Sequence, residues 1–233
     1  MLTVGILAGG LGTRISEETQ DKPKPMVLIN GIPILGHLIQ SLRVKGAENF
    51  LVAVGYKGNV IEDWINVSGM SDFVKVLDTG VSSMTGLRVK KLLEYFDGDR
   101  MMITYGDGLA NVSLSELFDF HSQHGKLATV TAVRPPARFG HIELENDKVI
   151  KFNEKLQSDE GWINGGYFVL EKSVYDFIVD DSLPFEVEAL PTLAKEGNLM
   201  AYRHAGFWKP MDTLRDRNEL ENLARQKSLP WLE

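Results

Sequence analysis

A chain of 233 residues fits one globular α/β domain, with room for a small appended lobe, because a single core can still be built at this length. Hydrophobic residues at 43% and charged residues at 24% exclude disorder and fibrous repeats. The net charge of -7 argues against a general nucleic-acid binder, and the lack of cysteine excludes disulfides and thiolate-metal sites.

The opening run from Leu2 to Ala8 is too short to span a membrane and leads directly into glycines, so a cytoplasmic protein is expected. Short aliphatic runs at 3–7 and 50–54 predict strands, and amphipathic runs at 34–44 and 60–65 predict helices. This alternation is that of a doubly wound Rossmann-like sheet, mostly parallel, with helices on both faces. Residues 101–104 predict a buried strand ending at Tyr105-Gly106-Asp107-Gly108, followed by a helix over 114–124 with Ser113 as its cap. Strands at 128–133, 141–145 and 149–153, joined by Pro135-Pro136 and an Asn146-Asp147 turn, put antiparallel pieces in the second half. Further elements are a strand at 163–170, helices at 174–179 and 186–196, a strand at 199–204 and a last helix over 213–226. With no repeat or low-complexity linker, the chain is expected to be a single domain, 1–133 mainly binding nucleotide and 134–233 mainly binding an acceptor.

Strand 4–7 runs into Ala8-Gly9-Gly10-Leu11-Gly12-Thr13-Arg14, where glycines let backbone N–H groups approach phosphate oxygens and Arg14 adds a charge-assisted bond. The spacing is neither that of a Walker loop nor that of a dinucleotide loop, which excludes a nicotinamide enzyme; a bare tight turn is the alternative. Lys22-Pro23-Lys24-Pro25-Met26 sets lysines on a proline-stiffened chain, suited to clamping phosphate, with a solvated basic loop as the alternative. Asp107, bracketed by glycines after a buried strand, is placed to hold magnesium beside phosphates. Asp212 is a second candidate ligand or else the cap of the final helix, and Trp208 walls the site or belongs to the core. The five histidines form no dense cluster, and His121 and His124 are assigned to a helix surface.

The motifs Gly9-Gly10-Leu11-Gly12-Thr13-Arg14, Lys22-Pro23-Lys24-Pro25, Tyr105-Gly106-Asp107-Gly108, Ile163-Asn164-Gly165-Gly166 and Phe207-Trp208-x-Pro210-Met211-Asp212-Thr213 occur in that order. With them, and with Asp78-Thr79-Gly80 and Ser82-Ser83-Met84-Thr85-Gly86, the whole chain resembles the glucose-1-phosphate cytidylyltransferase family of the sugar-nucleotidyltransferase superfamily.

The resemblance implies in-line attack by an acceptor phosphate oxygen on the α-phosphorus of CTP, releasing pyrophosphate without a covalent enzyme intermediate. It implies catalytic roles for Arg14, Lys24 and Asp107, with Mg2+ held by Asp107 and Asp212. Manganese would suit the same oxygen ligands. The triphosphate would meet Leu7, Ala8, Gly9, Gly10, Gly12, Thr13, Arg14 and Lys24. Thr79, Ser83, Thr85, Gly86 and Arg88 would serve the base or the phosphates, with Tyr105 and Gly106 beside them. The acceptor side would use Gly140, Glu154, Lys155, Asn164 and Gly165, with Lys155 facing the acceptor phosphate and Glu154 or Asn164 bonding its hydroxyls. In the family the loop over 78–88 reaches a neighbouring subunit, so a homo-oligomer is implied; nucleic acid and membrane are not expected partners.

Two departures bear on the acceptor. The segment from Asn66 to Phe73 is short where the family carries an insertion, and Glu154-Lys155-Leu156 replaces Glu-Lys-Pro. Glucose 1-phosphate is the expected acceptor, giving CDP-glucose; another sugar 1-phosphate or a phosphorylated non-sugar is the alternative, with the short segment reshaping the acceptor pocket. A non-catalytic nucleotide-sensing subunit is the alternative of another class.

Overall fold

The computed structural model describes residues 1–10, 12, 15–19, 21–135, 141–153 and 161–233. Strand β1 (Thr3–Leu7) is buried from Val4 onward, as a strand covered on both faces must be. After it come α1 (Ser16–Thr19), a 3-10 turn at Lys24–Met26, β2 (Leu28–Ile29), β3 (Ile32–Pro33), α2 (Ile34–Val44), β4 (Asn49–Val54), α3 (Gly58–Val67) and β5 (Val74–Asp78). The middle of the chain holds α4 (Thr85–Tyr95), β6 (Arg100–Tyr105), β7 (Gly108–Ala110), α5 (Leu114–His124), β8 (Ala128–Val133) and the hairpin of β9 (His141–Glu145) and β10 (Lys148–Asn153). Last come β11 (Ile163–Glu171), a 3-10 turn at Lys172–Phe177, α6 (Ala189–Lys195), β12 (Leu199–His204), β13 (Trp208–Pro210), α7 (Leu214–Arg225) and a 3-10 turn at Pro230–Leu232.

Seven strands form one sheet in the order β12-β8-β11-β6-β1-β4-β5. Every neighbour pair is parallel except those of β11, which runs antiparallel between β6 and β8. The second half of the chain thus completes the sheet begun by the first. One face is covered by Ile34, Leu38, Leu117, Leu220 and Trp231, and the other by Val89, Leu92, Phe185 and Leu193. Strand order switches at β1, whose Leu7 is level with Ala53 of β4 and Tyr105 of β6, so the loops after these strands open together at the carboxyl edge. That is where an open α/β sheet binds ligands. No described helix is long and apolar enough to cross a membrane.

Several elements differ from the sequence reading. The helix expected over 174–179 is the 3-10 turn Lys172–Phe177, whose run of Val174, Tyr175 and Phe177 favours helix poorly. The helix expected from 186 starts at Ala189, because the Glu188 side chain accepts bonds from the N–H groups of Val179 and Asp180 and holds the preceding residues in a loop. Strand β5 and helix α4 were not evident: β5 is a partly exposed edge strand, and Arg88, Lys90 and Lys91 interrupt the apolar pattern of α4. The short segment after α3 lies at the amino edge of the sheet, where Asp72 and Phe73 border a separate cavity of about 300 Å³, and no residue from 66 to 73 lines the carboxyl-edge cleft. The segment expected to reshape the acceptor pocket thus stands apart from the described lining of that cleft.

His121 is also not a surface residue: it is 1% exposed and bonds Thr129 Oγ1 at 2.8 Å and Glu171 Oε1 at 3.1 Å. Burial lowers the pKa values of His37, His121 and His124 below the ordinary 6.5; it outweighs the opposite pull of Glu171 on His121, and His121 and Lys126 depress His124 further. These rings bind protons more weakly in the folded chain than in the unfolded one. Their stabilising contribution is complete above pH 6.5 and is lost as pH falls through the lowered values. Melting temperature should accordingly decline as pH drops from 6.5 toward about 5, before the window of the carboxylates opens. A melting temperature level over that interval would show that the fold does not hold these rings neutral.

Candidate active site

The loops at the carboxyl edge are tied together by backbone bonds. Ala8 N–H donates to Ala53 O at 2.8 Å, and Gly106 N–H donates to Leu7 O at 2.9 Å. Beside them opens a cleft of about 770 Å³, its floor made by Leu7, Ala8, Gly9, Gly10 and Gly12 and its walls by Lys24, Tyr105, Asp107, Asn164, Trp208 and Asp212.

Lys24 stands at its centre. The 3-10 turn carrying it is fixed by Pro23, with φ -71°, and by Pro25, so the aliphatic stem is buried and the ammonium is aimed rather than waving. Its Nζ donates to Asp107 Oδ2 at 2.6 Å and to Asp212 Oδ1 at 2.8 Å. The two carboxylates meet because β7, after Asp107, pairs antiparallel with β13, before Asp212, and Met211 N–H donates to Asp107 O at 2.9 Å. Asp212 does not cap α7; Thr213 does, in a capping box with Asp216. Burial is the largest influence on the Lys24 pKa and lowers it, but the attractions of Asp107 and Asp212 together win, so the value is raised and the ammonium stays charged.

Asp107 and Asp212 each remain 30% exposed toward the cleft. Among the described residues no group of three or more acidic or histidine side chains gathers to hold a metal alone. A pair of carboxylates beside a phosphate cradle is nonetheless the donor set that fits a small hard divalent cation, which completes its shell with water and substrate oxygens.

The side chains expected to read the nucleotide largely face the protein. Arg88 is 3% exposed, and its guanidinium donates to Val54 O and Gly9 O, both at 2.9 Å, and to Thr79 Oγ1. Thr79 in turn donates to Val54 O at 2.6 Å, and Ser83 to Thr79 O. Burial lowers the Arg88 pKa, with Asp78 opposing it. The slot for this guanidinium exists because positions 9 and 55 lack side chains: a Cβ on Gly9 would collide with it, and one on Gly55 would lie 2.8 Å from Nη1 and 2.6 Å from Gly80 O. Thr85 donates to Glu186 Oε2 at 2.6 Å, and the Tyr105 hydroxyl donates to the other oxygen of that carboxylate. Gly86 lets the backbone at Leu183 approach, since a Cβ there would lie 2.5 Å from Leu183 O.

On the acceptor side Asn164 lines the cleft, its Oδ1 accepting from Gly166 N–H at 2.8 Å, and Gly165 O accepts from Trp208 Nε1 at 2.8 Å. Trp208 therefore is a wall of the site. Thr13, Arg14, Gly140, Glu154 and Lys155 lie outside the described residues. The sequence reading did not single out Glu186, which sat within an expected helix and carried no motif of its own.

The nucleotidyl transferase family model matches residues 4–220, over the whole sheet and cleft, which makes the chain an enzyme of the nucleotidyltransferase class. It is 46% identical to glucose-1-phosphate cytidylyltransferase of Salmonella typhi over 97% of both chains, and 37% identical to a probable glucose-1-phosphate cytidylyltransferase of Bacillus subtilis over the same shares. The chain belongs to the glucose-1-phosphate cytidylyltransferase family. Its fold is shared with HddC from Yersinia pseudotuberculosis, with a TM-score of 0.75 at 24% identity over 95% of this chain and 99% of that one. Enzymes of the nucleotidyl transferase family use a divalent cation.

Gly55→Ala should force a methyl into the Arg88 slot and cost roughly 1–3 kcal/mol, the usual range for overpacking. Chemical denaturation would measure the loss, and a nucleotide titration on the same variant should show weakened binding. Unchanged stability and affinity would mean that the guanidinium has room to shift.

Proposed function

We propose that the chain transfers CMP from CTP to glucose 1-phosphate, giving CDP-glucose and pyrophosphate. The observation that carries this reading is the Lys24 ammonium shared by Asp107 and Asp212 at the edge of a glycine-floored cleft. The 46% identity to a glucose-1-phosphate cytidylyltransferase over nearly the full length supports CTP and glucose 1-phosphate as its substrates.

The acceptor phosphate is already anionic at neutral pH, so one of its oxygens attacks the α-phosphorus without a base to activate it. A P–O bond forms there as the bond from the α-phosphorus to the bridging oxygen breaks, and pyrophosphate leaves with that electron pair. The chain supplies position and charge, which are the main needs of such a transfer. Backbone N–H groups of the loop from Gly9 to Gly12 cradle the triphosphate, and Lys24, charged throughout the working range, offsets the negative charge that develops. Asp107 and Asp212 would hold Mg2+, which supplies Lewis-acid neutralisation of the phosphates when bound. Arg14 adds a second cation at the triphosphate, while Asn164 and Gly165, with Gly140, Glu154 and Lys155, form the acceptor end.

Thr79, Ser83, Thr85, Gly86 and Arg88 shape the nucleotide end by holding the loop, together with Tyr105 and Gly106. The exposed side chains of Val81 and Met84 on that loop give it an apolar surface suited to a subunit contact, which supports a homo-oligomer. The cytoplasm, where CTP and sugar phosphates are made, is the compartment in which this reaction is placed.

The purified protein, incubated with Mg2+ and glucose 1-phosphate, should form CDP-glucose and pyrophosphate from CTP in preference to UTP, dTTP, ATP or GTP. Lys24→Ala should reduce turnover by on the order of 10²–10³-fold, the scale of removing one preorganised charge donor, while remaining folded. Chromatography of the nucleotide products reads both. A CDP-linked product formed only from another acceptor would replace glucose 1-phosphate, and tight CTP binding without product would favour the sensing subunit.

A further inference from the structure

We propose that Glu186 is a positioning residue for the transfer, its carboxylate clamping the start of α4 to the end of β6 in the cleft through Thr85 and Tyr105. The inference rests on the nucleotidyl-transfer reading above and assigns a role to a residue that does not itself line the cleft.

The clamp joins two elements. Thr85 opens α4 directly after the nucleotide loop and lines the cleft; its hydroxyl donates to Glu186 Oε2 at 2.6 Å and accepts from Phe185 N–H at 2.8 Å. Tyr105 ends β6 on the other wall, and its hydroxyl donates to Glu186 Oε1. Polar contacts through one carboxylate thus join the start of α4 to the end of β6. Both hydroxyl protons are committed to the carboxylate, so Thr85 and Tyr105 do not offer them to substrate. Burial, reinforced by Glu186, raises the Tyr105 pKa far above its ordinary value and keeps the phenol a donor.

The segment that carries Glu186 is seated independently. Phe185 is 2% exposed and packs edge-on against Phe168 at 5.8 Å, which packs in turn against Tyr105 at 6.0 Å. Gly86 admits the Leu183 carbonyl against the first turn of α4. A carboxylate held this firmly sets the distance between its two donors, and in-line transfer depends on that distance because misplacement by about 1 Å is enough to cost 10²-fold in rate.

The test compares wild type, Glu186→Ala, Glu186→Gln, Tyr105→Phe and the Glu186→Ala/Tyr105→Phe double variant. Steady-state kinetics would use the nucleotide that wild type turns over best, and calorimetric nucleotide affinity would be measured in parallel. Glu186→Ala should lower kcat/KM by on the order of 10- to 100-fold and narrow the preference for CTP over UTP, with the melting temperature moving less than activity does. Glu186→Gln, which keeps the shape and one acceptor oxygen, should recover part of the loss, and the double variant should be little worse than Glu186→Ala alone.

Wild-type kinetics and affinity in Glu186→Ala would overturn the inference, as would losses that add in full in the double variant. If Glu186→Ala does not fold, Glu186→Gln against Tyr105→Phe decides the question by the same coupling. A wild-type chain that uses a different nucleotide would sink the CTP reading and leave the ratio of variant to wild type to judge the clamp. With no product from any nucleotide, the calorimetric affinities judge it alone.

Discussion

One ammonium shared by two carboxylates organises this molecule. Lys24, Asp107 and Asp212 are 83 and 188 residues apart along the chain, and each reaches the meeting point by a separate device. Prolines stiffen the first segment, the end of a buried parallel strand delivers the second, and the β7–β13 pair carries the third back to the second. Three charges half withdrawn from water are costly unless each finds its partner, and here the arrangement is satisfied only when all three segments are in place. Loss of the lysine would take away the cation that two neighbouring carboxylates on the paired β7–β13 segments share. The contact therefore joins three distant segments at the centre of the cleft.

A buried guanidinium does for the loop between β5 and α4 what the Lys24 ammonium does for the carboxylate pair. Arg88 binds the backbone carbonyls that follow β1 and end β4, and the missing side chains at positions 9 and 55 are the complement of its shape. Hydroxyls at Thr79, Ser83 and Thr85 complete the same inward set. A loop braced in this way presents fixed backbone groups, so a ligand bound there would meet a surface whose ordering is complete on folding. The pattern of Thr, Ser and Arg side chains recognisable in this loop encodes its rigidity as well as its contact surface.

The contrast explains what could be read from the sequence. Strands such as Ala128–Val133 and helices such as Leu114–His124 stood out because burial on both faces or on one stripe imposes a local periodicity. Lys24, Asp107 and Asp212 were legible because prolines and glycines set each of them in a turn that few other tasks require. The direction in which Arg88 points was not legible, since a buried arginine and a ligand-facing one share the same local sequence and differ only in which distant carbonyls lie near. Glu186 was hidden for a related reason: its partners are 101 and 81 residues away, and its own segment read as ordinary helix. His121 was misjudged because helical spacing identifies a face of α5 without saying whether β8 covers it.

The charge balance adds a last constraint. With a net charge of -7 the chain as a whole does not attract a nucleoside triphosphate, but at physiological ionic strength charges more than about 8 Å away are largely screened, so the groups lining the cleft decide. Among the described charged side chains of the cleft, Lys24 and Arg88 favour a polyanion, while Asp107 and Asp212 oppose it. At the carboxylate pair itself two negative charges meet one ammonium, and a divalent cation held there would shift that local balance in favour of the phosphates. Nucleotide and cation affinities would then be linked, each raising the other by the same factor. The acidic pair, unfavourable to a nucleotide by itself, would become the feature that ties its binding to the cation.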